Sequence, residues 1–160
     1  MGTWSYTVLG SDNALDREAN LLFDVCGIDQ DELFEVHSCD LSVYRELIIR
    51  KIPEMVSNIT EGDEIGWLVL GTILIRSGAP MSDSIKQNVI TAARTDNEFD
   101  NNERRAYIQT FIHQLENYDE TPTTLECESL FSKIFKDIAG DERVKENTNN
   151  ILTEITDSQC

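Results

Sequence analysis

Base is scarce in this chain. Thirteen Lys and Arg stand against 30 Asp and Glu in 160 residues, a net charge of −17. A phosphate backbone must be met by Lys and Arg, so the balance argues against direct nucleic-acid binding. It argues equally against an anionic membrane surface and favours cationic partners. Histidine is scarcer still: His37 and His113 are the only two. Without an H-x-x-x-H or H-E-x-x-H pair, a helix-borne zinc site has no ligands. The four cysteines, Cys26, Cys39, Cys127 and Cys160, show no C-x-x-C spacing. His37 and Cys39 are two apart and do not readily face each other on a helix or strand, so they are not expected to form a nucleophile pair. G-x-S-x-G, P-loop and dinucleotide fingerprints are missing. Apolar runs are short. The most apolar, Ile65 to Ile75, falls well below the roughly 20 residues that a membrane span needs. The start, Met1 to Tyr6, has neither the basic flank nor the apolar stretch of a leader, and cytoplasm is the expected compartment. No catalytic residue, cofactor or metal ion is expected, and the chain reads as a binding protein more than an enzyme.

Enough apolar material is nevertheless present. Hydrophobic residues make up 40% of the chain, which suits one core in one domain, residues 1–160. The arrangement of those residues predicts a mainly α, single-domain multi-helix bundle of about seven helices behind a short extended segment over residues 1–10. Leu15, Ala19, Leu22, Phe23 and Cys26 follow at helical spacing, with Gly27 as the stop. Asp29 to Glu32 reads as the cap of a short helix over 30–36. Tyr44, Ile48, Ile52, Met55, Val56 and Ile59 form a second stripe, interrupted by Pro53, which predicts a kink or break near Ile52. Thr60 to Asp63 caps a helix that is apolar on nearly every side and therefore belongs at the centre of the packing. Gly66 and Gly71 within it, and Gly78 after it, permit close helix packing. Ser82 caps the next helix, with Ile85, Val89, Ala92 and Ala93 inward, and Ile108, Phe111, Ile112 and Leu115 mark another. Asp119 to Pro122 is a loop. Thr123 to Glu126 is a capping box, followed by Leu130 to Ile138. A weaker stripe, Val144 to Ile155, precedes a frayed tail at 156–160.

Asp96-Asn97-Glu98-Phe99-Asp100-Asn101-Asn102 alternates oxygen donors like the first half of a calcium loop. Asn101 stands where that loop requires Gly, and Tyr107 where it requires Glu, so the segment reads as a solvated acidic loop.

Met1-Gly2-Thr3-Trp4, followed by Gly10-Ser11-Asp12-Asn13-Ala14-Leu15-Asp16, resembles the opening of a bacterial family, domain of unknown function 4259. The apolar helix from Glu64 to Ile75 and the layout from Ala92 through Asp100 to Arg105 are also similar. Ser5 departs from the glycine common in that family. The family name implies no activity. In physical terms Trp4 reads as an anchor on the core, Asp12 as the cap of the first helix, and Asp16 as an acceptor for backbone donors or a cation.

The acid is concentrated. No Lys or Arg lies between Arg17 and Arg45, a stretch holding Glu18, Asp24, Asp29, Asp31, Glu32, Glu35 and Asp40. A second base-free stretch, Ala106 to Ser132, holds Glu116, Asp119, Glu120, Glu126 and Glu128. Size, acidity and helical build together resemble an immunity protein of an interbacterial toxin system such as contact-dependent growth inhibition. That resemblance implies a monomer in the producing cell's cytoplasm. It would bind and neutralise one basic toxin domain, a nuclease for example, by blocking its active site. The face expected to do so is Asp29, Asp31, Glu32 and Glu35, with Glu61, Asp63 and Glu64 second. Other classes make other demands. A DNA mimic needs carboxylates spaced like phosphates, a metal-dependent enzyme needs convergent acids in a pocket, and a helical adaptor needs an exposed apolar groove.

Overall fold

The computed structural model describes residues 7–9, 11–35, 40–96 and 102–123. Trp4, His37, Cys39, Cys127, Cys160, loop residues 97–101, most of the expected capping box, the helices expected beyond it and the tail at 156–160 lie outside the described residues. Among the described residues the fold is all α, with six α-helices: α1 (Asp12–Ala19), α2 (Gln30–Glu35), α3 (Arg45–Ser57), α4 (Glu64–Ser77), α5 (Asp83–Arg94) and α6 (Asn102–Glu116). The extended segment expected over residues 1–10 is corrected where it can be seen: Thr7, Val8 and Leu9 form a buried bend and turn.

Helix α4 is the axis. From Leu68 to Ser77 every residue is buried, and α5, α1 and α3 pack around it. Leu68, Val69, Leu70, Ile73, Leu74 and Ile75 are each at most 2% exposed, and such burial stabilises by about 1.5–3 kcal/mol per side chain. Gly71 sets the approach of its neighbours. A methyl at that position would stand 2.6 Å from Val89 Cγ1 on α5 and 3.2 Å from Phe111 Cζ on α6.

A helix buried to its end cannot leave its last carbonyls to water. Several elements donate to them. Gly78 N–H, in the left-handed conformation at φ 76°, and the Tyr118 hydroxyl both reach the Leu74 carbonyl, at 2.9 and 3.0 Å. Thr123 N–H donates to Ile75 at 3.0 Å and Leu41 N–H to Arg76 at 3.3 Å. Arg45 Nε donates to Gly78 at 3.0 Å. The loop over 117–123 is thereby tied back onto the end of α4.

The other helices follow the expected stripes with three corrections. Ser11, not Asp12, caps α1: its backbone is extended and its hydroxyl accepts Ala14 N–H at 3.2 Å. Asp12 is the first helical residue. The stripe expected from Leu15 and Ala19 lies one residue away, at Ala14 and Glu18. Beyond Ala19 the chain widens into a π-helical turn, Asn20–Val25, in which Cys26 N–H bonds Leu21 at 3.0 Å. That turn restores the expected inward positions Leu22 and Cys26. Finally, α3 runs through Pro53 unbroken to Ser57. Pro53 is exposed, so its ring meets solvent.

Candidate functional site

The expected binding residues fall in two places, the start of α2 and the start of α4. Asp29 is exposed and caps α2, its Oδ1 accepting Glu32 N–H at 3.0 Å. Asp31 and Glu32 stand exposed in the first turn, where the helix dipole favours negative charge. Glu35 ends α2, and its side chain lies outside the described residues. Leu33, between these acids, is fully buried and fixes which side of the short helix faces out.

At α4, Asp63 is the cap, accepting Gly66 N–H at 2.9 Å. Its other oxygen forms an ion pair with Arg17 of α1, whose guanidinium also donates to the Asn58 carbonyl at 3.1 Å. Asp63 is therefore half-buried and committed to the joint between α1, α3 and α4. Glu61 and Glu64 flank it, both exposed. No hydrogen bond or ion pair between described residues joins the α2 group to the α4 group. Four of the seven expected residues, Asp31, Glu32, Glu61 and Glu64, present carboxylates to solvent with no ion pair to a described residue.

The second base-free stretch is exposed at Glu116, Asp119 and Glu120. Thr121 N–H donates to Asp119 Oδ1 at 3.1 Å, and hydrogen bonds from the Thr121 side chain and backbone hold the Asp119 carboxyl below its usual pKa. Next to it, burial and the Glu120 charge raise the Tyr118 hydroxyl from 10.0 to about 12, against an opposing pull from Arg45.

Two acids that the sequence placed on the acidic surface belong to the interior. Glu18 is 2% exposed and pairs with Arg76 of α4 at 3.1 Å. The Arg76 guanidinium also donates to the Thr72 carbonyl at 3.1 Å and to Thr72 Oγ1 at 3.3 Å. Asp96, the first residue of the calcium-like segment, takes two bonds from Arg104 of α6, at 2.9 and 2.7 Å. Arg104 continues to the Thr7 carbonyl at 2.6 Å, pinning the turn at 7–9 to α6. The Asp96 carboxylate is thus an internal acceptor. Setting these two buried pairs aside from 30 acids and 13 bases leaves 28 acids against 11 bases. Burying arginine has made the remainder more one-sided than the composition.

One signal in the sequence pointed to the Arg76 pair. A single cation closes the run Ile73-Leu74-Ile75-Arg76 in a helix without a polar face, and a charge there needs a partner. Nothing of that kind marked Glu18 or Arg104. Cys26 is a buried free thiol, its Sγ 3.6 Å from Met55 Sδ. Burial raises it from 9.0 to about 11, with Lys51 pulling down and Glu54 pushing up. His113 is exposed on α6. Among the described residues no three His, Cys, Asp or Glu side chains group to hold a metal ion. Val43 is the one large apolar side chain left exposed among them, and no helix there is long and apolar enough to cross a membrane. Comparison of the chain with family models, curated proteins and solved structures finds no match.

Proposed function

We propose that this chain is an acidic immunity protein of an interbacterial competition system such as contact-dependent growth inhibition. It binds one basic toxin domain, of nuclease type, in the cytoplasm of the producing cell and neutralises it by covering the active site. The observation that supports this reading is the set of exposed carboxylates Asp31, Glu32, Glu61 and Glu64, carried on helix starts that are themselves fixed by Asp29 and Asp63. A helix start held by its cap keeps the backbone that carries these acids in place, so less chain has to be ordered when a cation docks. A field of one sign steers a partner of the other sign and speeds encounter. Asp63 positions the α4 group and does not itself face the partner.

The test is a complex with the basic toxin domain encoded beside this chain, measured by calorimetry over a salt series. Affinity falls as salt rises, because screening weakens attraction between exposed charges. Replacing all four carboxylates together (Asp31→Asn, Glu32→Gln, Glu61→Gln, Glu64→Gln) weakens binding by about tenfold or more, which is about 1.4 kcal/mol. It leaves the helical circular dichroism unchanged. Absence of a complex with any such neighbouring basic domain overturns the reading. A complex that is indifferent to salt and to the four substitutions removes these residues from the interface.

A further inference from the structure

We draw no further inference here: the strongest candidate, the exposed carboxylates Asp31 and Glu32 on the first turn of α2 with Glu61 and Glu64 on either side of the α4 cap, belongs to the site already described.

Discussion

Alanine at position 71 sets two known effects against each other. In an exposed helix, replacing Gly with Ala gains about 1 kcal/mol from helix propensity. At Gly71 the added methyl would lie 2.6 Å from Val89 Cγ1 and 3.2 Å from Phe111 Cζ, where ordinary contact between carbons begins at about 3.5 Å. Val89 is fully buried and β-branched, so it has few rotamers to retreat into. The helices must move apart by most of an ångström, and overpacking of this kind costs about 1–3 kcal/mol. The sum is a net loss of about 1 kcal/mol for Gly71→Ala, built from a gain of about 1 and a strain near the middle of that range. The two parts separate in a double-mutant cycle. Val89→Ala alone loses two methyl groups, about 1.6 kcal/mol of transfer free energy before any cavity term. In that background only the milder 3.2 Å approach to Phe111 Cζ remains, so most of the strain is gone, Gly71→Ala is no longer destabilising, and the cycle yields a coupling of about 1–2 kcal/mol. Urea unfolding followed by far-ultraviolet circular dichroism reads all four proteins, with the slope of each transition checking that the unfolded state has not changed. If Gly71→Ala stabilises the otherwise unchanged protein, α4 and α5 are not in the close contact described, and the reasoning fails.

Glu18→Ala takes the carboxylate away from a buried guanidinium and costs about 3–5 kcal/mol, whereas Glu18→Leu with Arg76→Met recovers most of that loss; unfolding midpoints that rank the double variant below the single one contradict this. Asp63→Asn keeps an N-cap acceptor and loses only the Arg17 ion pair, so it costs under about 1 kcal/mol. Asp63→Ala loses both and is the less stable of the two by thermal unfolding; equal melting temperatures would remove the cap from the account. The raised pKa of Tyr118, about 12 against 10.0 in the unfolded chain, means that the folded protein holds its phenolic proton longer. The associated stability is present below pH 10 and is lost as pH rises through about 12. Tyr118→Phe flattens that alkaline fall, and an unchanged slope in the variant refutes the assignment.

The core was legible in the sequence where one period governed it. Ile85, Val89, Ala92 and Ala93 on α5, and Ile108, Phe111 and Leu115 on α6, are buried as their spacing requires. Helix α4 needed no period, because a run apolar on every side has one place to go. The first helix shows where a period misleads. Its expected stripe was right at Leu22 and Cys26 and one residue out at Leu15 and Ala19, because the π turn at Asn20–Val25 inserts an extra residue between the two halves. A stripe extrapolated backward through such a turn lands on the neighbouring face. No residue there announces the turn; Glu18 before it and Cys26 after it are both buried. Pro53 misleads in the opposite sense: its local cost predicted a break, yet α3 continues through it and Ile48 and Met55 of the expected stripe are buried on either side.

The acidic residues were harder to sort, and the reason is physical. Composition counts charges, while a surface depends on which charges the core has taken in. Glu18 and Asp96 look like any other acid in a polar stretch until Arg76 and Arg104 are seen beside them. Their partners are 58 and 8 residues away, and at the longer separation no local pattern relates the two. Capping was more visible: Asp29 and Asp63 each precede a helix by one position, and each carboxylate accepts a backbone N–H three residues on. A carboxylate already holding a helix start, and in Asp63 an arginine as well, has less to offer a cation from outside. Among the described side chains of the expected binding set, the carboxylates that stay exposed and outside any cap or ion pair are the neighbours of the caps, Asp31, Glu32, Glu61 and Glu64. The backbone beside them is held by Asp29 and Asp63, two acids that composition alone does not tell apart from them.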